Sequence, residues 1–113
     1  MLQSTFDEQV KQRLDNTLNI LTVKAKEYSR NNNPLHNFEN GNQITNKHST
    51  EVLDGFMLKH YISYRDMLKD ISDGKQISYE SVLEKFGDLI VYFVIQEIQF
   101  KEYAESFYKE KIN

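Results

Sequence analysis

An all-α fold is expected from two features of this 113-residue chain. Apolar residues return at steps of three or four through three long stretches, and the breaks between them are filled by Asn, Gly, Asp and the single Pro. Those features predict an antiparallel bundle of three long helices, a single domain over 1–113, completed by oligomerisation. The length suits one domain with one modest core.

The first helix is expected from Thr5 to about Ser29, because Phe6, Val10, Leu14, Leu18, Leu21, Ala25 and Tyr28 form one stripe that Ile20 and Val23 widen. Thr5 with Glu8 three residues on has the form of a capping box, and Asp7 places negative charge where the helix dipole favours it. From Arg30 to about His48 the Asn-rich run with Pro34 and Gly41 stops the helix. The expectation is a loop without regular structure, anchored by Leu35 and Phe38 so that His36 and Asn37 are fixed in place. A second helix runs from Ser49 or Thr50 to about Ile71 on the stripe Leu53, Met57, Tyr61, Tyr64, Leu68 and Ile71, and Asp73-Gly74 ends it. Lys59, Asp66 and Asp70 lie one or two turns apart along it, either on one rim of the bundle or as solvated pairs.

Ser78 is the N-cap expected for a third helix from Tyr79 to about Lys109. Within it, Leu89 to Ile95 is apolar on every side, a run that also suits a buried strand. Helix is preferred because no turn residue closes the run and the helical spacing continues through Ile98, Tyr103 and Phe107. An aromatic tail of Phe100, Tyr103, Phe107 and Tyr108 calls for a covering partner, and a homodimer is the commonest way to supply one.

At the head of that run Glu84 and Asp88 stand one turn apart on one face. Lys85 projects roughly 100° away from Glu84, so the two carboxylates are either solvated, or matched by a cation from elsewhere in the fold, or held by a hard ion such as Mg²⁺.

Composition narrows the partners. The net charge is −3 and Lys outnumbers Arg without forming a dense basic cluster, which argues against duplex nucleic acid. There is no cysteine, and His36, His48 and His60 lack paired spacing, so disulfides and a zinc site are not expected. No export signal is visible at Met1–Glu8, and seven apolar residues fall far short of the ~20 that span a bilayer. A cytoplasmic protein that does not enter membranes is expected.

The order Lys26-Glu27-Tyr28, then Pro34-Leu35-His36-Asn37-Phe38, then Lys59-His60, then Glu84-Lys85-Phe86-Gly87-Asp88-Leu89-Ile90-Val91-Tyr92 resembles small bacteriophage proteins related to the MazG-like all-α nucleoside triphosphate pyrophosphohydrolases and the nucleotide-modification-associated domain. The resemblance covers roughly residues 20 to 100. It implies an oligomeric MazG-like domain in the host cytoplasm, holding Mg²⁺ (or Mn²⁺) on Glu27, Glu84 and Asp88 and cleaving a nucleoside triphosphate between its α and β phosphates. Lys59 would be a phosphate contact, with Asn37 and His36 beside the nucleotide. The chain has one carboxylate, Glu27, where the family pattern has Glu-Glu-x-x-Glu, and Lys85 three residues before Asp88. Two functions therefore stand side by side: a metal-dependent pyrophosphohydrolase acting on the nucleotide pool, and a non-catalytic helical accessory protein that binds nucleotide or inhibits a host protein.

Overall fold

The computed structural model describes residues 1–112, with side chains described through Tyr108. The chain is all-helical: α1 (Gln3–Tyr28), α2 (His36–Thr45), α3 (Ser49–Ser72) and α4 (Tyr79–Ile112). Four helices replace the expected three, because the segment between Arg30 and His48 is not an irregular loop. Asn31 and Asn32 both take left-handed backbone angles, φ 52° and 63°, and Arg30 and Asn33 exchange two backbone hydrogen bonds across them. Asn tolerates that conformation better than other residues with a Cβ, so the pair makes a tight primed turn. Asn33 then leads into α2: its Oδ1 accepts from the Leu35 N–H and its Nδ2 donates to Glu39. The ten residues of α2 end on Asn46, left-handed at φ 59°, whose N–H bonds the Asn42 carbonyl.

Of the three capping or stop signals read at helix ends, two are found and one is not. Ser78 Oγ accepts from the Ser81 N–H, so the N-cap of α4 is formed as expected. Gly74 takes φ +71° after α3, with its N–H on the Ile71 carbonyl. The capping box at Thr5 is corrected: α1 begins at Gln3 with Leu2 as an N-cap that makes no side-chain bond, and Gln3 reaches Asp7 instead. Thr5 therefore lies inside the helix, where its hydroxyl cannot cap.

Cross-contacts fix the helix directions. Arg13 donates to the Leu83 carbonyl and Tyr28 meets Tyr92, so α1 and α4 run the same way. Gln96 and Gln99 reach the Thr50 and Ser49 carbonyls while Tyr64 packs on Phe86, so α3 runs opposite to α4. The core is built where α2, α3 and α4 meet: Leu35, Phe38, Leu53, Met57, Val91, Tyr92 and Ile95 are buried together, with Ile20, Leu21, Tyr28 and Val52 packed around them. Phe38, Leu53 and Val91 are fully buried, each worth about 1.5–3 kcal/mol of apolar transfer. Two glycines permit close approach. A Cβ on Gly41 of α2 would stand 2.7 Å from a Val52 methyl, and one on Gly87 of α4 would stand 3.0 Å from the Arg13 guanidinium. No helix among the described residues is long and apolar enough to cross a membrane.

Candidate functional site

The last turns of α1, the middle of α3 and the first half of α4 bring a row of polar side chains to the edge of the core. Lys24 and Tyr28 are one turn apart on α1, and Asp88 and Tyr92 are one turn apart on α4, so each tyrosine has a charged residue stacked before it. The Tyr28 and Tyr92 hydroxyls are 3.0 Å apart. Lys24 Nζ donates to the Tyr28 hydroxyl at 3.4 Å and sits 5.6 Å and 5.5 Å from the Tyr28 and Tyr92 ring centres, within cation–π range. The His60 ring also lies against Tyr92, centroid to centroid 5.3 Å, and His60 Nδ1 stands 3.3 Å from Asp88 Oδ2. That approach misses the ring N–H direction, so Nδ1 has an electrostatic contact with the carboxylate and no directed hydrogen bond. The result is a continuous series: Lys24, Tyr28, Tyr92, His60, Asp88.

Phe38 holds this series from beneath. Its ring contacts Tyr28 at 5.2 Å and Phe56 at 5.5 Å, so burying Phe38 fixes the Tyr28 ring and with it the tyrosine pair.

Burial sets the protonation states. The Tyr92 phenol is pushed up to about 12, first by desolvation and then by its bond to Tyr28, so it stays neutral. His60 is held below its ordinary value, first by burial; Asp88 opposes that, while the ammonium groups of Lys59, Lys85 and Lys24 add to it. The imidazole thus sits beside one carboxylate, Asp88, and in the field of nearby ammonium groups, of which Lys85 is matched by Glu84.

The residues singled out from the sequence are distributed unevenly. Asp88 is in the series, its side chain 22% exposed, and its partner is the His60 imidazole from α3. Glu84 points outward and its Oε1 lies 3.7 Å from Lys85 Nζ. Lys85 is thus a partner of Glu84 after all, because the long lysine side chain bends back over the helix surface. Glu27 is exposed, one residue before Tyr28. Glu27, Glu84 and Asp88 are therefore not gathered into one ligand group, and among the described residues no three His, Cys, Asp or Glu side chains are close enough to hold an ion. Within a single chain these residues do not fit Mg²⁺ or Mn²⁺, whose coordination needs several converging oxygens. Lys59 is exposed next to His60, His36 is half-buried and Asn37 exposed on the first turn of α2; among the described residues no hydrogen bond joins His36 or Asn37 to the three carboxylates. A groove of about 690 Å³ lies elsewhere along α3 and α4 and includes none of the series.

Sequence reasoning gave no role to Lys24, Tyr28, Tyr92 or His60. The signal was present as two matched pairs, Lys24/Tyr28 and Asp88/Tyr92, each a charge one turn ahead of a tyrosine. Comparison with protein-family models, curated proteins and solved structures gives no match to this chain.

Proposed function

We propose that this chain is a helical, oligomeric binding protein that takes a nucleoside triphosphate or related polyphosphate at the edge of the Lys24–Tyr28–Tyr92–His60–Asp88 series, without catalysing its cleavage. The observation that carries this reading is that Lys24, whose Nζ lies 5.5 Å from the Tyr92 ring, and Lys59, exposed beside His60, make no ion pair among the described residues, while Asp88 is turned to the His60 imidazole and Lys85 to Glu84. An added anion gains charge-assisted hydrogen bonds from Lys24 and Lys59. Lys59, being exposed, supplies a mobile point charge, and the uncovered apolar surfaces of α1 and α4 support an oligomer or a protein partner.

A second reading, the MazG-like magnesium-dependent pyrophosphohydrolase, is favoured by one observation: Glu84 and Glu27 are exposed and able to meet ligands from a second copy. The two readings separate by calorimetry with a nucleoside triphosphate, with and without Mn²⁺, beside an assay of pyrophosphate release. The binding reading expects heat without metal, an affinity falling about fivefold in Lys59→Ala, and no release. Release that needs Mn²⁺ and is lost in Asp88→Asn establishes the hydrolase instead.

A further inference from the structure

Phe86, Phe93, Phe100 and Phe107 follow one another on α4 at intervals of seven residues, and all four rings are exposed, by 41%, 58%, 60% and 50%. A row with a strict seven-residue repeat keeps one face of a helix turned to a partner when two helices supercoil, and it has no such use on an isolated helix. The row extends roughly 30 Å at 1.5 Å per residue. It forms a ridge between two grooves. One, of about 690 Å³, lies where Phe93 faces Leu58 and Tyr61 of α3; the other, of about 490 Å³, lies where Phe86, with Tyr79 and Leu83 of the same helix, faces Gln12 and Arg13 of α1. From Phe100 to Tyr108 every side chain is exposed, because α4 has there run past most of the other helices.

We propose that α4 pairs antiparallel with α4 of a second copy of this chain along this phenylalanine row, about a two-fold axis near Gln96 and Glu97. Phe93 then lies beside the partner's Phe100, and Phe86 beside the partner's Phe107. This rests on the oligomeric part of the reading above and fixes the surface that carries it; it is independent of the anion site.

Area supports a second copy as the occupant. A phenylalanine carries on the order of 200 Å², so the four rings expose on the order of 400 Å². Leu58, Tyr61, Tyr79, Leu83 and Tyr103 flank the row and are each between 46% and 66% exposed. With them the apolar area reaches roughly 800–900 Å², the share that each partner of a stable dimer buries. Direction follows from where the grooves lie. An antiparallel pair lays each protruding tail over the grooves beside the partner's Phe86 and Phe93 and opposes the two helix dipoles; a parallel pair leaves both grooves open and both tails touching only each other.

The test uses light scattering and cysteine crosslinking, which the absence of native cysteine makes clean. The unaltered chain is expected at twice its 13.4 kDa at high micromolar concentration. Phe93→Ser/Phe100→Ser, both at exposed positions, is expected to fall to the monomer mass with its helical circular dichroism retained. A mixture of Phe93→Cys and Phe100→Cys chains is expected to form a disulfide on the order of tenfold faster than either alone, since the bond needs Cβ atoms within ~4.5 Å. A monomeric unaltered chain overturns the proposal together with the oligomeric reading. A dimer that survives Phe93→Ser/Phe100→Ser, or single-cysteine chains that crosslink to themselves as fast as the mixture, overturns the antiparallel seam alone.

Discussion

Phe38 and Phe6 are the same side chain on helices of the same molecule, yet Phe38 is fully buried and Phe6 is 53% exposed. Phe38 is held by a short helix whose entry and exit are fixed by Asn33 and Asn46, and three other elements close around it. Phe6 belongs to a regular stripe with Val10, Leu14 and Leu18, but those residues are also exposed, and along α1 only Thr17 is buried. The difference teaches that apolar periodicity marks a face able to be buried, whereas burial needs a second element brought to that face.

The comparison breaks most visibly on truncation. Phe38→Ala should cost about 3–5 kcal/mol, the range for an aromatic ring lost from a closed site, and should loosen Tyr28 as well. Phe6→Ala should stay within about 0.5 kcal/mol. Chemical denaturation of both variants checks the pair; equal losses would mean that α1 is covered along its whole stripe.

Glycines sharpen the same contrast with a smaller effect. In Gly41→Ala the new methyl meets Val52 at 2.7 Å, and the β-branched Val52 on α3 has little rotamer freedom to yield. A loss of about 1 kcal/mol is expected, the low end of overpacking, with recovery in Gly41→Ala/Val52→Ala. A Cβ on Gly55 meets nothing within 4 Å, so Gly55→Ala should gain roughly 0.5–1 kcal/mol from helix propensity. Thermal melting of the three variants decides whether the α2–α3 contact is as tight as described.

The smallest of these effects is a pH dependence. His60 is held below its ordinary value in the folded chain, so between its folded and unfolded values the unfolded chain binds more protons. Stability is therefore full above the ordinary value of 6.5 and is lost as pH falls from there through the folded value. His60→Gln should lose less stability than the unaltered chain between neutral and mildly acidic pH. Parallel curves for the two proteins would remove His60 from the account. At the alkaline end Tyr92, raised to about 12, acts in the opposite direction: stability is lost as pH rises from its ordinary 10.0.

Much of the fold is legible in the sequence because its signals are local. The all-α class, the stop at Asp73-Gly74 and the Ser78 cap each depend on a few neighbouring residues, and each is found. The segment from Arg30 to His48 reads as a loop because Asn is ambiguous: the same residue ends a helix, takes a left-handed turn at Asn31 and Asn32, and caps the next element at Asn33. The site is legible only in part. Glu84 and Asp88 do share a face, but which of them turns inward depends on His60, 28 positions before Asp88 and on another helix. Lys24 and Tyr28 carry a local pattern, a charge one turn ahead of a tyrosine, but what it does depends on Tyr92, a partner in α4 that the pattern does not name.

The central claim, that Lys24 and Lys59 near His60 make an anion site, is tested most directly by following the His60 ring in NMR pH titrations with and without tripolyphosphate. A bound polyanion stabilises the imidazolium, so its protonation midpoint should move upward toward or past the ordinary value, and Lys24→Ala/Lys59→Ala should shrink that movement. A His60 midpoint and ring signals unchanged at saturating tripolyphosphate would contradict the account.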